Sequence, residues 1–514
     1  MVDVKHVVIV GAGPAGLFAA RMVRLLLPDA AVEVCERAGP DEVTGFGVTL
    51  SARTLGGIAE ADPDTHRRIA AASLPLSGIE IALPAATLRY DGFEVASISR
   101  STLLAILREQ AEAVGARVRY RSAVPPGAVP DADVVVFADG AASAHRNARA
   151  AAFGTVTRTG AARFVWLGTP ADLGGRTSFA FVRTPHGPMA AHCYPHADAG
   201  GTVVVETDET TWRAAGFAGS DTIGGAAIGE DALARLGDVF AEHLGGAGLI
   251  GARGRWGRFT VVTNRSWSAG NAVLLGDAAH TAHFTVGSGT KLALEDAMAL
   301  ASALAAHPER AAAFRAYEEA RRGPVTRTQR LAAPSMRWWE SFGRRLDLPP
   351  EEFGLHFLTR TPAMTYAALR RRCPERLAEA AVSFGGDADR HAVDTPFEHG
   401  SIRLPHRVVS EGVVRFAEVP CPEDPDWSEL DAPLPKVEDG RVVLVQAAGP
   451  EWERWHETVR YAGMVRAGTG RPVAVRVPAD WRDGPGLDAD DDSWSARVHL
   501  ALLSGRIDLI AAAR

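Results

Sequence analysis

Three glycines and an acid are the first residues whose spacing can do chemistry. Gly11, Gly13 and Gly16 stand in Gly11-Ala12-Gly13-Pro14-Ala15-Gly16, and Glu36 follows the last of them by about 20 residues. Gly11 permits a tight turn, Gly13 lets the backbone approach a pyrophosphate, and Gly16 lets a helix pack closely on a strand. An acid at that distance accepts hydrogen bonds from ribose hydroxyls, and the helix start attracts the phosphate charge. The set reads as a dinucleotide grip, with Ala15 inside its turn and Arg37 beside its acid.

Two more clusters carry related chemistry. Asp139-Gly140 closes the apolar run from Asp133, with Ser143 and Arg146 after it. Gly276-Asp277-Ala278-Ala279-His280 precedes Gly287-Ser288-Gly289-Thr290. A glycine-rich helix start offers unpaired N–H groups and a positive dipole end to an anion. His280, after two alanines, reads as a packed, hydrogen-bonded residue rather than a catalyst.

The elements that must position these groups are legible around them. Val7 to Val10 is a β-branched run suited to a strand buried on both faces. Leu17 to Leu27 is helical in composition and stops before Pro28, and Ala31 to Cys35 is a second strand. Asn271 to Leu275 is another strand feeding Gly276, and the helix opened at Gly287 to Gly289 carries Glu295-Asp296-Ala297. A βαβ unit of this kind does not by itself choose between FAD and NAD.

The 514 residues are 46% hydrophobic and 23% charged, a globular balance that predicts two to four domains or subdomains. A net charge of −7 supplies no general attraction for nucleic acid or acidic membranes. Cys35, Cys193, Cys373 and Cys421 are too scattered for a zinc or redox motif, so no metal is expected and a reducing cytoplasm fits. The first apolar run is too short for a membrane span or a secretory signal.

The three glycine and acid segments together resemble the single-component aromatic-hydroxylase flavoproteins typified by para-hydroxybenzoate hydroxylase, over roughly residues 1 to 390. The resemblance implies an α/β fold, with a Rossmann-like FAD domain and an inserted β-sheet substrate domain. It implies that Asp277 holds the ribityl chain of FAD, that Asp139 and Gly140 support FAD and nicotinamide binding, and that Arg100 touches the FAD phosphates. Gly276, Gly287, Gly289 and Thr290 join that cofactor set. NADPH or NADH is the implied reductant, and molecular oxygen the implied co-substrate, acting through a flavin hydroperoxide.

Gly276 through Phe284 and Gly289-Thr290-Lys291 are similar to the aryl-CoA hydroxylase subgroup, which includes salicylyl-CoA 5-hydroxylase and 2-aminobenzoyl-CoA monooxygenase/reductase. His186 to Tyr194 carries the same resemblance and places polar and aromatic groups near a flat substrate. On that basis His192, Tyr194 and His283 are the candidate catalytic residues, and Met189 and Phe284 candidate substrate contacts. His283-Phe284, Ser288 and Lys291 replace the proline, glutamine and asparagine that many relatives carry here.

Phe164 to Thr169, Phe179 to Arg183 and Thr202 to Glu206 read as strands of the substrate sheet. Ala311 to Arg345 is helical and rich in arginine, including Arg321, Arg322, Arg344 and Arg345. Such arginines can bind the phosphates of a CoA carrier, which makes Arg344 and Arg345 candidate substrate residues; a solvated helix face is the alternative.

From Thr395 onward the chain resembles parts of an old yellow enzyme-type barrel at Thr395 to Val409, Pro472 to Val477 and Gly505 to Ile510. A complete barrel needs ~250 residues, more than remain, so the resemblance implies a shortened reductase remnant without FMN. His406 in place of the entry-motif asparagine, and the acidic run Asp488 to Asp492, point the same way. The expected division is FAD-binding over 1–155 and 268–330, substrate sheet over 156–267, helices over 331–394 and a vestigial α/β domain, like a truncated TIM barrel, over 395–514.

The leading expectation is a FAD-dependent monooxygenase of an aromatic acyl-CoA, as a possible homodimer. Trp338-Trp339 does not match the tryptophan motif of flavin halogenases. A tropone-type carboxyl-CoA substrate and a nonenzymatic flavin-binding partner protein are the alternatives.

Overall fold

The computed structural model describes residues 4–512 except 44, 129, 199, 219–226, 252–253, 386, 388–389, 411, 424–433, 448–450, 484–486 and 488–492. The acidic run Asp488 to Asp492 therefore lies outside the described residues. The chain forms two compact units, Met1–Gly78 with Glu94–Met336, and Ile79–Phe93 with Arg337–Arg514. The expected substrate sheet and, apart from residues 79–93, the expected FAD-binding segments fall in the first unit.

Fourteen described strands run in order through β1 (His6–Val10), β2 (Ala31–Cys35), β3 (Gly47–Leu50), β4 (Leu74–Ala82) and β5 (Thr87–Ser99). They continue through β6 (Arg117–Arg119), β7 (Val134–Phe137), β8 (Thr155–Thr169), β9 (Thr177–Thr184) and β10 (Gly187–Pro195). The series ends with β11 (Gly201–Thr207), β12 (Gly257–Asn264), β13 (Ser268–Ala269) and β14 (Ala272–Leu274).

Six of these strands form one sheet in the order β13-β14-β7-β1-β2-β6, parallel except for β13. Val7 and Ile9 are fully buried, and Val134 to Phe137 beside them are too, because helices cover both faces of a parallel sheet. The helix Pro14–Leu26 joins β1 to β2. The second sheet has the order β12-β8-β11-β10-β9-β4-β5-β3, and its centre, β8 to β11, is antiparallel. Residues 79–93, the outer ends of β4 and β5, group with the second unit.

The second unit contains the helices Pro350–Leu358, Tyr366–Arg372 and Pro374–Gly385, then β15 (Phe397–His399) and β16 (Ile402–Leu404) as a small antiparallel pair. A parallel five-stranded sheet follows from β17 (Val408–Val409), β18 (Arg415–Pro420), β19 (Arg441–Gln446), β20 (Val473–Val477) and β21 (Leu509–Ala512). Its order is β17-β21-β20-β19-β18, so four successive strands lie side by side in sequence order. That is the single-direction winding of βαβ units, with the helix Glu451–Thr469 between β19 and β20 and the helix Trp494–Leu503 between β20 and β21. Among the described strands β17 and β18 are the sheet's two edges, and it does not close on itself. Val442 to Val445 and Val473 to Val475 are fully buried.

Candidate active site

The glycine turn divides its labour. Gly11 adopts φ +108°, and a Cβ there would meet the Ala138 carbonyl oxygen at 2.5 Å. A Cβ on Gly16 would lie 2.0 Å from the Gly11 carbonyl oxygen, so Gly16 serves close packing of helix on strand. A Cβ on Gly13 would have no atom within 4 Å: the space in front of it is open. That space belongs to a cavity of about 800 Å³, which Glu36, Arg37, Arg100, Asp139 and Gly140 also line.

Glu36 accepts 2.8 Å hydrogen bonds from the N–H groups of Ala12 and Ala38, which aim its carboxylate along the cavity wall. Asp139 pairs through Oδ2 with His145 Nδ1 at 3.0 Å, and its Oδ1 is buried with no partner.

A second cavity of about 360 Å³ adjoins the first and shares Gly13, Arg100, Ala138 and Gly140 with it. One wall carries Ala15, Asp277, Gly287, Gly289 and Thr290; the facing wall is the sheet surface formed by Phe164, Trp166, His192, Tyr194 and Val204. Phe284 bridges them, its ring 5.0 Å from that of Phe164 and 5.6 Å from that of Trp166. The aromatic surfaces make a slot suited to a flat ring.

Helix starts mark where an anion belongs. Ser51, Asp62, Ser99 and Asp208 each accept a backbone N–H of the helix they precede. The helices Pro14–Leu26 and Gly289–Ala306 have no such side-chain bond at Gly13 or Ser288, and both begin at the cavities. Ser288 Oγ is buried and without a partner. Two uncapped helix dipoles with Arg100 between them fit a phosphate-bearing flavin, with the pyrophosphate near Gly13 and an electron-rich ring edge near Gly289.

Asp277 is open to the cavity but ringed by protein, and that burial pushes its carboxyl above the usual range; His280 and Arg100 pull it back down. Burial likewise lowers Arg100, against the pull of Asp277 and Tyr194. A hydrogen-bonding ligand hydroxyl at Asp277 and an anion at Arg100 would relieve both. Gly276 packs rather than lines: at φ +58° its Cβ would press on Ala15 Cβ at 3.0 Å.

Several expected substrate and catalytic residues lie off the cavity or have their polar atoms engaged within the protein. Side chains alternate along β10, so Met189 lies on the sheet face opposite His192 and Tyr194, buried and away from the cavity. The Tyr194 hydroxyl donates to the Gly47 carbonyl at 2.9 Å. His283 stacks behind Phe284 with centroids 4.4 Å apart, and its Nδ1 meets Thr285 Oγ1 at 2.8 Å. Arg345 is 2% exposed and donates to the Ser341 carbonyl and hydroxyl at 3.0 and 2.7 Å. It packs within the second unit, whereas Arg344 is exposed. Arg321 is no surface cation either: it is buried against Asp296 and Glu295 at 2.7 and 2.8 Å.

Phe259, Thr49 and Glu206 went unnoticed in the sequence. The first two line the second cavity, and Glu206 lies 3.8 Å from His192 Nε2. A glutamate ending an otherwise apolar strand was the one available signal.

A sequence profile described as FAD binding domain matches residues 96–332. The chain is 37% identical over 527 residues to salicyloyl-CoA 5-hydroxylase of a Streptomyces species, a match spanning 98% of each protein. It is 39% identical over 350 residues to 3-hydroxy-4-methyl-anthranilyl-[aryl-carrier protein] 5-monooxygenase of Streptosporangium sibiricum, covering 67% of this chain and 91% of that one. The solved tetrameric form of 2-methyl-3-hydroxypyridine-5-carboxylic acid oxygenase superposes with a TM-score of 0.53 at 20% identity, covering 65% of this chain and 91% of that one, a likeness of fold. With two uncapped helix starts facing cavities built from its own glycine and acid motifs, the chain belongs to the FAD-dependent aromatic monooxygenases related to salicyloyl-CoA 5-hydroxylase.

Proposed function

We propose that this monooxygenase hydroxylates an aromatic ring presented as a coenzyme A thioester. The observation that carries the reading is the match to salicyloyl-CoA 5-hydroxylase along 98% of both chains. A third of this chain lies outside the match to the relative named for an aryl-carrier protein, which favours CoA over a protein carrier.

FAD, reduced by NADH or NADPH, supplies one atom of molecular oxygen to the ring while the other leaves as water. We assign its binding to Gly13 and the helix start behind it for the pyrophosphate, Glu36 for the adenosine ribose, Arg100 for phosphate charge and Asp277 for the ribityl hydroxyls, all of which line the two cavities. The N–H groups opening the helix Gly289–Ala306 suit the carbonyl edge of the flavin ring system. Phe164, Trp166, Phe259 and Phe284 seat the substrate ring and exclude water. Of the three histidine and tyrosine candidates, His192 is the one we place beside the substrate, because the Tyr194 hydroxyl is committed to Gly47 and His283 stands behind Phe284.

Residues 395–514 are proposed to hold no FMN and to act structurally, through the five-stranded sheet or a second copy of the chain. The deciding experiment measures NAD(P)H oxidation with free aromatic acids and their CoA esters, with products identified by mass. Hydroxylated thioester is the expected product; hydroxylation of free acids alone would overturn the carrier assignment. One FAD and no FMN per chain is the expected flavin content.

A further inference from the structure

The strand β11 is buried along its whole length, and Thr202, Val204 and Glu206 share one of its faces. On that face Glu206 sits across from Phe164 of β8 and Ala190 of β10, while Val204 sits across from Trp166 and His192. Phe179 and Phe181 of β9 continue the same surface. A side chain 1% exposed loses the hydration that ordinarily stabilises a carboxylate. One charged neighbour that the geometry gives it is His192, whose Nε2 lies 3.8 Å from Glu206 Oε1, at ion-pair distance.

His192 is itself clasped. Its ring lies 5.2 Å from Phe179 and 5.9 Å from Phe284, and it lines the cavity that Val204, Trp166 and Phe164 also line. Glu206 does not line that cavity; it stands one cross-strand pair further along. A carboxylate close to one ring nitrogen favours the protonated form of an imidazole and draws its ring towards that side. At 3.8 Å, beyond hydrogen-bond reach, Glu206 acts on His192 through its charge.

We propose that Glu206 is the positioning residue for His192, and that the pair takes up the proton of a hydroxyl or amino group on the substrate ring as oxygen is added. This rests on the reading of the cavity as an aryl-thioester site and narrows it to rings bearing an acidic O–H or N–H. The substituent's O–H or N–H bond breaks, an N–H bond forms at His192, and the released electron pair enters the ring, where it raises the nucleophilicity of the carbon that bonds oxygen. When the carbon's own hydrogen leaves as a proton, aromaticity returns and the pair hands its proton back. The two electrons come from NAD(P)H and the oxygen atom from O₂, whose other atom becomes water. The dyad thus ends each cycle unchanged. General acid-base assistance by a positioned group contributes typically 10²–10⁴-fold, so its loss is measurable.

The test uses the FAD-loaded full chain with salicylyl-CoA, comparing wild type, Glu206→Gln, Glu206→Asp, His192→Gln and the double Glu206→Gln/His192→Gln variant. Product and hydrogen peroxide formed per NAD(P)H are measured with apparent KM, kcat and flavin content. Glu206→Gln should lower product per NAD(P)H at least 10-fold with KM changed less than threefold, the missing oxygen appearing as peroxide. Glu206→Asp should recover part of the loss, and the double variant should be no worse than His192→Gln alone. Wild-type coupling in Glu206→Gln, or losses that multiply in the double variant, would overturn the positioning role while leaving the thioester reading intact. A wild-type enzyme that hydroxylates no thioester, including salicylyl-CoA and 2-aminobenzoyl-CoA, would overturn both.

Discussion

His280 and Asp296 share a 2.7 Å hydrogen bond between groups 3% and 0% exposed, and Arg321 grips the other oxygen of Asp296 at the same distance. Arg321 also reaches Glu295, which Lys291 holds at 2.9 Å. The chain of charges ties the turn carrying Asp277 to the helix Gly289–Ala306 that closes the second cavity. His280, three residues after Asp277, works through this bond rather than on a substrate.

Removing one partner of a buried ion pair strands the rest. Asp296→Ala should therefore cost about 3–5 kcal/mol of folding stability and lower flavin occupancy. Denaturant unfolding of the purified protein, together with its flavin-to-protein absorbance ratio, checks this. A loss below about 1 kcal/mol with full flavin would show the network to be dispensable.

Gly16 and Gly13 should fail in different ways when given a methyl group. Gly16→Ala presses a Cβ to 2.0 Å from a backbone oxygen that can move only with the strand, an overpacking that costs about 3 kcal/mol. Gly13 has φ −74° and ψ 179°, which alanine adopts freely, and open space in front of it. Gly13→Ala should fold nearly as well yet bind FAD at least 10-fold more weakly, because the methyl occupies the approach to the pyrophosphate. Thermal unfolding of the apoprotein and FAD titration by fluorescence separate the two; equal FAD affinity for Gly13→Ala and wild type would remove that glycine from the cofactor grip.

The contrast explains what could be read without coordinates. The glycine turn, the strand before it and Glu36 lie within one βαβ unit, so their mutual geometry is local and recurrent. His192 and Glu206 meet only because β10 and β11 pair in a register that neither strand announces. Met189 sits on the opposite face of β10 from His192, as its odd spacing along a strand dictates once β10 is known to be one. Arg321 and Arg345 read as surface charge because a helical arginine's burial depends on Asp296 and Ser341, partners that composition does not reveal. Thr49 arrives at the cavity through the pairing of β3 with β5, a long-range contact with no sequence motif of its own.

Glu209 gives the fold a pH dependence. It receives hydrogen bonds from Arg163, Arg258 and Arg213 at 2.6, 2.8 and 2.7 Å, and these hold its carboxyl at about 2, below its ordinary 4.5. A depressed carboxyl stabilises the folded state fully above its unfolded value and loses that contribution as pH falls towards the folded one. Allowing for its 26% exposed side chain, the contribution is about 2 kcal/mol. Glu209→Gln should thus cost about that much at pH 6, with the gap to wild type narrowing as pH falls from roughly 5 to about 2. Urea midpoints at several pH values read it directly, and a gap independent of pH would point to packing rather than charge.

Arg345 should prove a stability residue of the second unit rather than a contact for the carrier phosphates. Its guanidinium is nearly excluded from solvent, carries two short bonds to Ser341, and lies 5.8 Å from the centre of the Trp338 ring. Arg345→Ala removes hydrogen bonds from a charged donor and a cation–π contact together, which is worth about 2–3 kcal/mol. The expected result is a lowered unfolding midpoint, with the apparent KM for a CoA thioester and for its free acid moving by the same factor once rates are normalised to folded protein. Arg344, exposed one position earlier, should be nearly silent in the same unfolding measurement. A rise in KM confined to the thioester, at an unchanged midpoint, would instead place Arg345 on the carrier, because a packing residue has no means of telling a CoA ester from the acid it carries.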